Sequence, residues 1–199
     1  MNQAFRRASN RSPETPAIAQ AGYERPAAWA MIYPRHSKGD SMTQTDPAFD
    51  KASWTEEAFD RKALADRALE MHNRNYNCAQ CVACTLAPFV GADEDLVFRA
   101  TEALGGGMGG FTETCGAISG GEVIIGLACS NGSNDPTSKQ DTYVWARKLV
   151  ENFRTRVGST ICEEIKNVEG EAPLRGCDLC ILDGLEMTID ILIEIGKEA

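Results

Sequence analysis

The chain has 199 residues, 43% of them hydrophobic and only 7% aromatic, and a net charge of −9. That size and composition allow one domain of ordinary size with an aliphatic, Ala- and Gly-rich core. They exclude a nucleic-acid partner held by phosphate contacts and adhesion to an anionic membrane surface, and no apolar run approaches the roughly 18 residues of a membrane span.

The charge is unevenly spread. Residues 1–41 carry six Lys/Arg against three Asp/Glu, so the acidic excess falls on the rest. This leader contains Pro13, Pro16, Pro26 and Pro34 and no sustained helical or alternating pattern, which predicts a disordered tail. Its apolar stretch, Ala27 to Tyr33, lies too far in for a secretory signal. Lys38-Gly39-Asp40 is what a purine-rich ribosome-binding site would give if translated, so a start at Met42 is a further expectation. Residues 1–52 read as leader and linker, and residues 53–199 as one helical domain.

Ser53-Trp54-Thr55-Glu56 has the form of a capping box, and residues 56–75 follow with amphipathic spacing. Asn77, with Gln80 three residues on, opens CAQCVACTLAPFV, apolar nearly all round and so a buried helix ending near Pro88 and Gly91. Asp93 caps the next segment, which stops at Gly105. The run from Gly105 to Thr114 is too rich in glycine for a regular helix. Thr114 is the expected cap of CGAISGGEVIIGLAC, whose small residues predict close packing. Asp135-Pro136 marks the start of a long helix ending at Gly158. Ser159 and Thr160 cap a short one, and a polar loop leads to the last helix at Cys177. No segment reads as a strand. The expected fold is all-α, a bundle of six or seven helices.

Eight cysteines without a secretory signal point to a reducing, cytoplasmic setting, where thiols serve metals or catalysis more often than structural disulfides. Four of them, Cys78, Cys115, Cys162 and Cys177, fall at predicted helix starts. Free N–H groups and the positive end of the helix dipole favour thiolate there, so a shared site is expected. Cys81 and Cys84 follow Cys78 at steps of three, which rotate each thiol back by about 60° on a helix. They and Cys129 read as small core residues.

The run Cys115-Gly116-Ala117-Ile118-Ser119-Gly120 resembles the CGAxxG motif of the redox-active C_GCAxxG_C_C family. The order Asn77-Cys78-Ala79-Gln80, a glycine-rich turn, CGAxxG and two further cysteines is similar as well, over about residues 60–199. The resemblance implies a small helical protein with four characteristic cysteines, here Cys78, Cys115, Cys162 and either Cys177 or Cys180. It also extends to the non-haem part of split-Soret cytochromes, which implies an iron–sulfur cluster. Covalent haem is not expected, because no CxxC pair is followed by histidine. Backbone amides of Gly105, Gly106, Gly107 and Gly116 are candidate donors to the ligand sulfurs. Such donors raise a cluster's potential, whereas desolvation opposes them.

Three functional classes are carried forward: an iron–sulfur electron carrier or redox sensor, a metal-free thiol–disulfide oxidoreductase using the same cysteines, with Cys177-Asp178-Leu179-Cys180 at a helix start in its favour, and a module stapled by zinc. The first two require a redox partner, and a homodimer is compatible with all three. Glu122, seven positions after Cys115, reads as an exposed helix edge, with a proton relay beside Ser119 as the alternative. His72 reads as a solvated side chain at a helix end. Arg99, Lys148 and Arg154 lie on polar faces. The glycine run lacks the Lys-Ser/Thr of a phosphate loop.

Overall fold

The computed structural model describes residues 50–167, 170 and 172–199. The expected disordered tail and the alternative start at Met42 lie outside them. Among the described residues the chain is all-α, with seven right-handed α-helices and one isolated antiparallel bridge between Thr114 and Ile161.

The first helix, α1 (Arg61–Asn73), starts later than Ser53 predicts. The Ser53 hydroxyl donates to the Asp50 carbonyl and closes a short 3-10 turn instead. Asp60 takes over as cap, accepting from the Ala63 amide at 3.0 Å. Trp54 turns inward and donates its ring N–H to the Phe89 carbonyl.

The next helix, α2 (Cys78–Leu86), opens on the predicted capping box: Asn77 accepts from the Ala79 and Gln80 amides, and Gln80 accepts from the Asn77 amide. Every residue from Ala79 to Leu86 is buried, as a helix apolar on all sides requires. The chain leaves through a 3-10 turn (Ala87–Val90) and a left-handed Gly91. Helix α3 (Glu94–Thr101) is capped by Asp93, which accepts from the Leu96 amide at 2.8 Å. After it, Gly106, Gly107, Met108 and Gly109 all hold positive φ, a left-handed turn that only a glycine-rich run adopts cheaply.

Helix α4 (Gly116–Cys129) is followed by α5 (Lys139–Val157). The Asp135-Pro136 start is displaced because the Asp135 carboxylate is spent on the Asn131 amide and the Thr137 hydroxyl within the loop. The stop at Gly158, φ 98°, is as predicted. Helices α6 (Cys162–Lys166) and α7 (Cys177–Glu198) complete the bundle.

Helices α2, α4 and α7 form its centre, and glycine sets how closely they approach. A Cβ on Gly120 would run into the Ala79 carbonyl of α2, and one on Gly184 would lie 2.8 Å from the Ala117 carbonyl of α4. Ile118, Leu149, Ile181 and Leu192 are fully buried around these crossings, each adding about 1.5–3 kcal/mol of apolar transfer. That core supports a group of sulfurs at the end of the bundle where α2, α4, α6 and α7 begin.

Candidate metal centre

Cys78, Cys115, Cys162, Cys177 and Cys180 all line one cavity of about 170 Å³. Each is placed by a local device. Cys78 is the first residue of α2, behind the Asn77 cap, and Cys177 is the first of α7, with Cys180 one turn further in. Cys115 is itself the N-cap of α4, where Thr114 was expected. Thr114 is displaced because it pairs with Ile161. The Cys115 amide donates to the Thr160 carbonyl at 2.8 Å and the Cys162 amide to the Glu113 carbonyl at 2.9 Å. These bonds lace the starts of α4 and α6 side by side.

The glycines are spaces for this chemistry. A Cβ on Gly116 would fall on the Cys78 sulfur, and one on Gly105 on the Asn77 side chain. A Cβ on Gly107 would lie 2.7 Å from the Cys162 Cβ and 2.9 Å from the Glu113 carbonyl. Gly106 is the one of the four candidate donors whose amide bears on a sulfur, that of Cys78. The Ala117 amide does the same for Cys115.

These amides favour thiolate, as the helix-start argument predicts, but they do not prevail in the bare protein. The neighbouring Cys115 thiol and burial push the Cys78 thiol far above its ordinary range. Cys115, bonded towards Cys180 on one side and Cys78 on the other, is pushed up to about 12. Burial raises Cys162 as well. At Cys78, Cys115 and Cys162 burial and sulfur contact thus favour the protonated thiol in the bare protein.

Further groups complete the wall. The Lys166 ammonium donates to the Cys177 sulfur at 3.4 Å and stands 5.2 Å from the Phe111 ring centroid. Phe111, itself at positive φ and half exposed, lines the mouth. His72 also lines the cavity, partly exposed at the end of α1, with Nδ1 2.6 Å from an Asp178 carboxylate oxygen. Arg175 is fixed by the buried Asp183 at 2.8 and 3.0 Å. Lys166 follows Cys162 by one helical turn, a spacing that could have revealed it. His72 reaches the site only through the packing of α1 against α7, and no sequence signal announces that.

Cys81 and Cys84 are buried in the core away from the cavity, next to the Tyr76 and Glu94 carbonyls, and Cys129 is half-buried at the far end of α4. Glu122 is not an exposed edge: it is half-buried, and its Oε1 has no hydrogen-bond partner. Among the described residues, no three His, Cys, Asp or Glu side chains gather tightly enough to hold a single metal ion. No helix among them is long and apolar enough to cross a membrane.

Residues 76–191 match the sequence family described as "Putative redox-active protein (C_GCAxxG_C_C)". No curated protein and no solved structure matches the chain.

Proposed function

The chain belongs to the C_GCAxxG_C_C family of redox-active proteins, and on that premise we propose that it carries an iron–sulfur cluster for electron transfer or redox sensing. The ligands in this reading are Cys78, Cys115, Cys162 and one of Cys177 and Cys180. The observation that carries it is the gathering of five soft sulfur donors from four helix starts around one cavity. Thiolate ligation suits iron–sulfur clusters and zinc alike. The cluster is preferred to a lone zinc because the family is a redox-active one and zinc has no redox chemistry of its own.

Bound there, the cluster supplies one-electron chemistry. The protein's own groups do the rest. Cys115, Cys162 and Cys180 are 5% exposed or less, so their sulfurs are shielded from water. The Gly106 and Ala117 amides, which bear on the Cys78 and Cys115 sulfurs, would stabilise negative charge there. Lys166 places a positive charge at the rim, and Phe111 narrows the mouth.

The metal-free oxidoreductase reading has one observation in its favour, the Lys166 ammonium on Cys177. Against it, Cys78 and Cys115 are held as thiols, and the thiol is the unreactive form. Anaerobic purification tests the proposal. A brown protein with iron and acid-labile sulfide supports it; a colourless, metal-free protein that reduces a disulfide, or one holding stoichiometric zinc, refutes it.

A further inference from the structure

Five thiols surround a site that needs four, and Cys177 and Cys180, one turn apart on α7, both face it. Their surroundings differ. Cys180 is 3% exposed, and its sulfur interacts with that of Cys115, which in turn interacts with that of Cys78. These three sulfurs form a continuous row contributed by α2, α4 and α7, in which Cys115 and Cys180 are buried and Cys78 is half-buried. Cys162, 5% exposed, joins from α6. Cys177 lies outside the row, half-buried, at the very start of α7, and its sulfur accepts from Lys166 at 3.4 Å. Lys166 is itself held towards the rim by the Phe111 ring.

On the cluster reading above, we propose that Cys180 completes the ligand set with Cys78, Cys115 and Cys162, and that Cys177 is a fifth, non-coordinating thiol anchored at the rim by Lys166. Two properties follow from this placement. Cys177 is the thiol of the site open to an electrophile arriving from solvent, and Lys166 is a positioning residue that keeps this sulfur out of the ligand sphere. A helix start presents positions i and i+3 on one face, so the choice between the two cysteines rests on their neighbours and not on their reach.

The experiment uses the full chain, reconstituted anaerobically with ferrous iron and sulfide. Iron and sulfide per chain are measured for wild type, Cys177→Ser and Cys180→Ser, and loaded wild type is treated with iodoacetamide and mapped by mass spectrometry. Cys177→Ser should retain near wild-type iron and sulfide, and Cys180→Ser should lose at least fivefold. In the loaded wild type Cys177 should be alkylated while Cys180 is protected. The opposite pattern, or equal protection of both thiols, overturns the assignment, and the mapping decides even if Cys180→Ser does not fold. A wild type that takes up no iron and sulfide overturns the cluster reading itself, an outcome distinct from a loaded protein with the two cysteines exchanged.

Discussion

Gly116 lies directly against the sulfur of Cys78, so the glycine of the CGAxxG motif and a thiol 38 positions earlier occupy adjoining space at the α2–α4 crossing. A methyl group there has nowhere to go except into the sulfur's place.

Gly116→Ala should therefore abolish most iron uptake on anaerobic reconstitution, measured as iron and sulfide per chain. Gly126→Ala is the control on the same helix. Nothing lies within 4 Å of a Cβ at Gly126, so that change should keep full iron content and leave stability equal or higher, by about 0.5–1 kcal/mol.

Glu122 gives the protein a pH dependence of its own. Desolvation raises its carboxyl to about 7, from an unfolded value near 4.5. The native state thus holds the proton more tightly than the unfolded chain. Its contribution to stability is complete below pH 4.5 and is lost as pH rises through about 7. Glu122→Gln should remove that slope and make the protein more stable than wild type at pH 8 by about 2 kcal/mol. Urea midpoints at pH 5 and pH 8 for the two proteins check this, and parallel curves would reject it.

Lys166 places an ammonium at the sulfur rim, 3.4 Å from Cys177. Replacing it by glutamine removes a positive charge that stabilises the reduced, more negative centre. The midpoint potential of reconstituted protein should fall by roughly tens of millivolts, with iron content intact. An unchanged potential in a redox titration would show that the charge is screened at the site.

Arg175 holds the buried Asp183 with two hydrogen bonds, leaving Arg156 as a weaker second partner at 3.4 Å. Arg175→Met strands much of that carboxylate charge and frees the segment leading into Cys177. A loss of about 2–4 kcal/mol in unfolding free energy is expected, together with reduced iron content. Thermal or urea unfolding measures the first and metal analysis the second.

How far the amino-acid order could be read depends on the distance over which each feature acts. The Asn77–Gln80 capping box, the Asp93 cap and the stop at Gly158 are settled within four residues of chain, and all were readable. Ser53 and Asp135 failed as helix starts for a related reason: each has a competing partner nearby, the Asp50 carbonyl for one and Asn131 with Thr137 for the other. Thr114 lost its capping role to a partner 47 positions away, Ile161, which no local pattern discloses.

The same division holds at the site. Cysteine spacing, the glycine run and the helix-start signals were enough to name an all-α chain and five candidate thiols, because these depend on backbone preferences that neighbouring residues impose. Their meeting in one cavity with His72 and Lys166, the burial of Glu122 and the raised thiol pKa of Cys78, Cys115 and Cys162 were decided by packing between helices. Desolvation and sulfur–sulfur contact act through space, between groups that the linear order keeps far apart.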